Sequence, residues 1–197
     1  MKFKIVSLFV LCAILISCGT SRQGGKKQRK GTKAQVVLTP EQQRKYDYFF
    51  LEASRLKMKD DYSAAFDLLQ HCLTINPNAS SALYEISQYY MYLKQVPQGQ
   101  AALEKAVEND PDNYWYSQAL ASLYQQQNEK EKAIGLLEMM ATRFPGKRES
   151  LFALLDLYNQ QEDYGKVIGT LDRLEEIMGK NEQLTMEKFR IYLQMKD

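Results

Sequence analysis

The sequence has 197 residues, 45% of them apolar, and a net charge of +2, which is enough chain and apolar surface for one ordinary domain. The charge is uneven. Eight of the 26 basic residues precede Glu41, the first acidic residue, so 18 basic residues accompany all 24 acidic ones in the remainder, a balance of −6. A nucleic-acid-binding protein concentrates cations on its folded surface. The acidic bulk of this chain excludes that class, and no nucleic-acid partner is predicted.

The first segment, residues 1–17, is predicted to be a signal peptide. Lys2 and Lys4 give it a positive start, and the apolar run from 5 to 16 is about 12 residues long, whereas a membrane-spanning helix needs about 20. The run ends in the letters LISC. This resembles the bacterial lipobox, in which the cysteine receives a diacylglyceryl group and becomes the first mature residue. The resemblance implies lipidation of Cys18; the alternative is an unmodified cysteine at the edge of a signal peptide.

The next segment, residues 18–38, is predicted to be the lipidated cysteine followed by a flexible basic tether. Its central letters GTSRQGGKKQRKGTK contain no large apolar side chain, so burial cannot offset the entropy cost of ordering it. Two roles stay open for its six positive charges. They lie against anionic lipid headgroups, at about 1 kcal/mol each, or the segment is a solvated spacer.

Folded structure is predicted over residues 39–197, beginning at a capping pattern in which Thr39 caps, Pro40 is the first helical residue and Gln42 completes the box. A 34-residue period follows. Because proline inside a helix costs about 3 kcal/mol, a proline that recurs at a fixed spacing marks helix ends. The prolines with this spacing are Pro77, Pro111 and Pro145.

The period defines units at 46–79, 80–113, 114–147 and 148–181 and a partial unit at 182–197. The eighth position of a unit is small in three of four cases, and the twenty-fourth is always leucine. The residues at these two positions are Ala53, Ser87, Ala121 and Leu155, then Leu69, Leu103, Leu137 and Leu171. Polar turns are predicted within the units, at 59–61, 94–95, 128–129 and 162–163.

This pattern resembles the tetratricopeptide repeat (TPR), in which each unit is two antiparallel helices. The resemblance implies an all-α fold, a right-handed α-solenoid of about four and a half repeats with a concave surface. Two features depart from the family pattern. The fourth position, often Trp in the family, holds other residues, and Gly179 replaces the closing proline of the fourth unit. The fourth-position residues are Phe49, Leu83, Ser117, Leu151 and Thr185.

The partial unit, 182–197, is predicted to be one helix that is apolar on more than one side. A terminal repeat helix usually has a polar outer face. Two interpretations are therefore open: the natural protein continues into further repeats, which we favour because an open edge is what repeat stacking predicts, or this helix packs against a second chain and makes a homo-oligomer. Its apolar residues are Leu184, Met186, Phe189, Ile191, Tyr192, Leu193 and Met195.

Motifs for chemistry are sparse. His71 has no second histidine with which to share a metal, and Cys72 occupies a small repeat position typical of a packed thiol. The sequence contains no phosphate-binding loop, zinc spacing or nucleophile elbow. We predict neither enzymatic activity, nor a cofactor, nor a metal site.

The TPR resemblance implies that the first helix of each unit binds a protein or peptide through its second, fifth, ninth, twelfth and thirteenth positions. The Lys and Asn residues that clamp acidic C-termini in some TPR modules are not present there. The predicted surface is aromatic and amide-rich and suits a peptide with apolar anchors. The alternative for several of the rings is packing between units. The predicted partner-binding residues are Phe50, Tyr84, Gln88, Tyr92, Trp115, Gln118, Phe152 and Asp156.

The predicted function is a membrane-anchored, extracytoplasmic adaptor that binds a protein partner, similar to lipoprotein TPR factors of envelope assembly. Gly19 follows the anchor cysteine where aspartate would indicate the inner membrane, and the tether lacks an acidic cluster for surface display. Both favour the outer membrane and its periplasmic face. Two alternatives stay open: a self-associating structural protein, or the N-terminal part of a longer TPR protein whose missing C-terminal region carries the activity.

Overall fold

The computed structural model describes residues 37–196, so the predicted signal peptide, Cys18 and most of the tether lie outside the described residues. Within 37–196 the chain forms nine helices and no strand, and each helix packs mainly on its neighbours in sequence. This is the arrangement of a solenoid. The helices are α1 (Pro40–Lys57), α2 (Tyr62–Ile75), α3 (Ser80–Tyr92), α4 (Val96–Asn109), α5 (Tyr114–Gln126), α6 (Lys130–Arg143), α7 (Glu149–Gln160), α8 (Tyr164–Met178) and α9 (Glu182–Gln194).

The helix ends follow the signals in the sequence. The Thr39 hydroxyl accepts a bond from the Gln42 backbone N–H at 3.2 Å, and the Gln42 side chain accepts one from the Thr39 N–H at 2.9 Å, so the predicted capping box is confirmed. Helices α2, α4 and α6 each end two residues before one of the three periodic prolines. Gly179 ends α8 differently, because its φ of +78° turns the chain out of the helix.

The turns within the four complete units share one backbone geometry. The fifteenth residue of each unit has positive φ, between 56° and 60°, the left-handed conformation that often follows a helix. The next N–H then reaches back to the carbonyl of the eleventh residue at 2.8–3.0 Å, which gives the Schellman pattern of bonds. The period therefore governs the turns as well as the core, and the predicted turn positions are confirmed. The positive-φ residues are Asp60, Lys94, Asn128 and Glu162.

Small side chains let the paired helices approach, and leucine fills the space between them. Ala53, Ala65 and Ala121 are at most 2% exposed, and the leucines of the twenty-fourth position are at most 3% exposed. The buried residues form two clusters, one spanning α1–α4 and the other α4–α9, and the half-buried Tyr84 and Tyr116 pack against both. These two tyrosines therefore join the two parts of the core.

Two tyrosines tie successive units together. The buried Tyr124 hydroxyl on α5 donates to Glu104 on α4 at 2.9 Å, and the Tyr158 hydroxyl on α7 donates to Glu138 on α6, also at 2.9 Å. Both pairs are 20 residues apart and occupy the same positions of their units. Burial, followed by these hydrogen bonds, raises the pKa of both phenols, that of Tyr158 to about 12. Each bond holds the first helix of a unit on the last helix of the preceding one.

Helix α9 is held to α8 by Lys188, whose ammonium lies 2.5 Å from Asp172 and 2.7 Å from Glu175. Leu184 and Ile191 are buried, whereas the other large apolar side chains of α9 are more than 50% exposed. The prediction that this helix is apolar on more than one side is confirmed.

The two residues with potential chemistry have ordinary surroundings. His71 is exposed, with its ring 5.6 Å from that of Phe49. Cys72 is fully buried, with its Sγ 3.8 Å from the Tyr46 carbonyl, and burial raises the pKa of its thiol to about 11. A thiol with a raised pKa is a poor nucleophile at neutral pH, so the interpretation of Cys72 as a packed thiol is confirmed. Within the described helices, none is both long and apolar enough to cross a bilayer.

Candidate partner-binding face

The first helices of the units lie side by side and form one surface, which we call the A face. The Tyr46 hydroxyl on α1 is 2.9 Å from the Ser81 hydroxyl on α3, and Lys57 on α1 pairs with Glu85 on α3 at 2.7 Å. Helix α3 in turn contacts α5 through Tyr84. Because these contacts join alternate helices, side chains from different units can meet a single ligand on the A face.

The centre of the A face is a stacked tyrosine pair. The rings of Tyr84 and Tyr116 have centroids 4.8 Å apart and planes inclined by 29°, and both side chains are half-buried. Burial and the nearby Asp110 raise the pKa of Tyr116. Tyr84 thus combines the two roles that the sequence left open, since it packs between units and also keeps part of its ring accessible. Tyr116 was not predicted, because it occupies the third position of its unit.

A second ring pair adjoins it on α1. Phe50 lies 6.0 Å from Tyr46 with the two rings within 9° of parallel. Burial raises the pKa of Tyr46, whose hydroxyl is fixed by Ser81. Tyr46 was also missed by sequence reasoning, because it is the first residue of its unit. The first position of a unit is not one that the repeat pattern assigns to binding. Only the bond from Tyr46 to Ser81 on α3 and its stacking on Phe50 show that it helps to orient Phe50.

Two amides supply polar groups on the A face, Gln88 one turn after Tyr84 on α3 and Gln118 one turn after Tyr114 on α5. The Gln118 side-chain carbonyl accepts a bond from the Tyr114 hydroxyl at 2.9 Å, and the exposed Gln88 donates to the Ser87 hydroxyl at 3.2 Å. Within residues 37–196 the Gln118 NH₂ group donates no hydrogen bond. A side-chain amide held in this way offers donors to the carbonyl groups of a peptide.

The remaining predicted residues lie further apart. Trp115 is 66% exposed, in edge contact with Tyr114 at 5.3 Å, and the Lys147 ammonium is 6.0 Å from its ring. Tyr92 is 78% exposed and lies beside Tyr62 on α2 at 6.4 Å. Trp115 is the second residue of α5 and Tyr92 the last of α3, so they mark opposite ends of these helices.

Phe152 and Asp156 extend the A face onto α7. Phe152 is 41% exposed and Asp156 is exposed, and they are one turn apart on the helix, so they share a side of it. The structure thus groups Phe50 and Tyr84 at the tyrosine pair, whereas Gln118, two residues from Tyr116 on α5, lies on another side of that helix beside Tyr114.

The A face offers recognition rather than reaction chemistry. Its rings are held by stacking and by hydrogen bonds, so a ligand would pay little additional entropy to order them. Within the described part of the chain no group of three or more His, Cys, Asp or Glu side chains is placed to hold a metal ion. Partly exposed aromatic rings together with side-chain amides that have donor groups left suit a peptide with apolar side chains and an accessible backbone.

Comparisons with known proteins identify the architecture. The model of the tetratricopeptide repeat family matches residues 118–146, which span most of α5 and α6. A solved structure of MamA superposes with a TM-score of 0.59 and 17% identity over 76% of this chain and 82% of that one. The fold is that of the TPR family. The predicted fold class, an all-α solenoid of TPR helix pairs, is confirmed.

Two further TPR structures resemble the chain to a similar degree. A TPR protein from Parabacteroides merdae has a TM-score of 0.62 and 18% identity over 78% of this chain, which spans 60% of that protein. YrrB, described as a TPR protein with an unusual peptide-binding site, has a TM-score of 0.58 and 13% identity over 75% of this chain and 76% of its own. No curated protein sequence gives a significant match.

Proposed function

We propose that the TPR array is a scaffold that binds an apolar or aromatic peptide segment of a protein partner on its A face. The stacked pair of Tyr84 and Tyr116, half-buried between two parts of the core, is the observation that carries this proposal. Binding energy at protein interfaces concentrates in a few rigid aromatic side chains surrounded by less important contacts. YrrB provides a precedent for peptide binding on this fold, since its structure is described by its peptide-binding site.

The partner chemistry follows from what surrounds the tyrosine pair. Phe50 and Phe152 add apolar surface on the helices to either side, Gln88 adds an amide one turn from Tyr84, and Gln118 adds a second amide beside Tyr114. A peptide with two or three apolar side chains would contact the apolar surface, and its accessible backbone would bond to the amide groups. The fold is typical of scaffolds without catalytic activity, and we propose the same role here.

The test is selection of peptides from a random displayed library against the purified protein, followed by calorimetric titration of the enriched peptide. Tyr84→Ala and Phe152→Ala are each expected to raise the dissociation constant for that peptide by about five- to tenfold, because each removes an aromatic anchor. Tyr48→Ala is the matched control. Tyr48 is 64% exposed and lies on the opposite side of α1 from Phe50. Its replacement should therefore leave the affinity for the peptide unchanged.

Thermal unfolding of each variant separates lost binding from lost structure. The proposal fails if peptides bind equally well to the Tyr84 and Phe152 variants while both remain folded. It also fails if Tyr48→Ala weakens binding as much as they do.

We further propose that the chain is a lipoprotein anchored through Cys18, in the outer membrane and facing the periplasm. The support is in the sequence: a short apolar run that ends in LISC, a glycine after the cysteine, and a basic tether before the folded array. Two or more acyl chains anchor a protein stably, at about 0.8 kcal/mol per buried methylene. The tether would then hold the array within reach of the membrane surface while leaving the A face accessible.

Metabolic labelling with an alkyne fatty acid tests the anchor. The unaltered protein is expected to carry the label, and Cys18→Ser to lose it, because serine lacks the thiol that accepts the lipid. Cys12→Ala is the control, since it alters a cysteine six residues earlier within the apolar run and should keep the label. Separation of the two membranes on a density gradient then locates the labelled protein. An unlabelled parent protein, or label retained by Cys18→Ser, would contradict the proposal.

A further inference from the structure

The exposed side of α9 is a surface that the other units bury. At the eighth position of the first three units Ala53, Ser87 and Ala121 are at most 2% exposed, because the second helix of the unit covers them. The equivalent residue of α9 is Phe189, which is 59% exposed, and Tyr192 at the eleventh position is 51% exposed. A contiguous apolar side of this kind indicates an interaction surface.

The size of Phe189 shows what kind of helix can cover this side. The eighth position is small in the first three units because two helices of a unit approach closely there, and it reaches only Leu155 in the fourth. A phenylalanine would hold a following repeat helix further away than in any inner unit. The side of α9 therefore fits a helix that packs in a different geometry.

The pattern of α9 shows which helix that is. Its outer stripe consists of four helical residues spaced four, three and four apart, which places them on one side of α9, and of Lys196, which follows three residues later in the turn after the helix ends at Gln194. Phe189 is the middle of the stripe, with an acidic residue seven positions before it and a basic residue seven positions after it. The stripe is Glu182, Met186, Phe189, Leu193 and Lys196.

The stripe is complementary to itself in one orientation only. When two copies lie antiparallel about an axis at Phe189, Glu182 of each is level with Lys196 of the other, and Met186 is within one residue of the level of Leu193. Within residues 37–196 neither Glu182 nor Lys196 has a partner in an ion pair. In a parallel arrangement Glu182 would face Glu182 and Lys196 would face Lys196, and such pairs of like charges repel.

We propose that the protein forms a two-fold symmetric dimer through antiparallel pairing of α9 with α9 of a second copy. A two-fold axis makes both halves of the interface identical, so each dimer contains two Glu182–Lys196 pairs around an apolar centre. The antiparallel helix dipoles also oppose each other favourably. This goes beyond the proposed peptide binding and uses a different surface, so the dimer presents two A faces and can hold two segments of one partner with increased avidity.

The test is sedimentation equilibrium of the full chain in a density-matched mild detergent, with each variant measured under the same conditions. The unaltered protein is expected to show a concentration-dependent equilibrium between monomer and dimer. Phe189→Glu should raise the dimer dissociation constant by at least about tenfold, because it places two carboxylates at the symmetry axis. Phe189 is largely exposed, so circular dichroism should show that the variant keeps its fold.

A charge exchange tests the orientation. Glu182→Lys and Lys196→Glu should each weaken the dimer by about tenfold, because each turns two attractive pairs into repulsive ones. The double variant Glu182→Lys/Lys196→Glu should restore it, since attraction returns only if the two residues face each other across the axis. A protein that is monomeric at every concentration overturns the proposal. So does a dimer that Phe189→Glu leaves unchanged, or a double variant as weak as the single ones.

Discussion

Gly99→Val is expected to lower the free energy of unfolding by about 2–3 kcal/mol, the range for overpacking a tight interior. Gly99 lies in the first turn of α4, where that helix packs closely on α3. A Cβ built there would lie 2.7 Å from the Met91 Sδ and 3.2 Å from the Ser87 backbone carbonyl. The Met91 side chain can turn away, but the carbonyl belongs to α3 and moves only if the two helices separate. Urea unfolding followed by circular dichroism measures the loss.

Gly135→Ala is the matched control. Gly135 is also inside a helix, on α6, but a Cβ there meets nothing within 4 Å. Alanine is favoured over glycine in a helix by about 1 kcal/mol, so this variant should be more stable than the parent. Val167 offers a further comparison. It is the twentieth residue of the fourth unit, as Gly99 is of the second, and it is fully buried. A Gly99→Val protein as stable as the parent would show that α3 and α4 can separate at no cost.

The period of the sequence predicts features that every unit repeats. Prolines 34 residues apart predict the ends of α2, α4 and α6 correctly. Each helix ends two residues before its proline, because proline is not tolerated inside a helix. Buried positions such as Leu137 follow for the same reason: each unit must cover its neighbour. The Thr39 cap is equally local, since it depends only on residues within one turn.

Contacts between particular side chains do not follow from the period. Tyr84 stacks on Tyr116 because of how the second unit is rotated on the third, and that rotation depends on all the residues between the two units. Tyr92 has the position of a groove residue but lies beside Tyr62, since it is at the last residue of α3. The site could therefore be predicted as a set of positions but not as an arrangement of rings.

Glu138→Ala is expected to lower the free energy of unfolding by about 1 kcal/mol, because a buried hydroxyl left without an acceptor costs about 1–3 kcal/mol. Glu138 on α6 accepts from the Tyr158 hydroxyl at 2.9 Å and from Arg173 on α8 at 2.8 Å. Tyr158 is only 3% exposed, but the Glu138 side chain is 39% exposed, so water replaces part of the lost acceptor and the cost lies at the lower end of that range. Since one carboxylate joins α6, α7 and α8, its loss should loosen the third unit from the fourth. Chemical unfolding and hydrogen exchange of α7 measure the two effects.

Tyr158→Phe is the control, because it removes the donor together with the need for an acceptor, and we expect it to cost less than Glu138→Ala. In the double variant the two losses should not add. The pKa of Tyr158 adds an independent measurement. Burial, followed by the bond to Glu138, raises it from 10.0 to about 12, so the fold favours the neutral phenol.

The contribution of the neutral phenol is complete below pH 10, where it is neutral in both states, and is lost as the pH rises through about 12. The free energy of unfolding should fall over that interval more steeply in the parent than in Tyr158→Phe. Measuring the difference between the two proteins removes the effect of the lysines that titrate in the same range. Equal slopes would mean that the Tyr158 phenol ionises as readily in the folded chain as in the unfolded one, and that its bond to Glu138 does not hold the two units together.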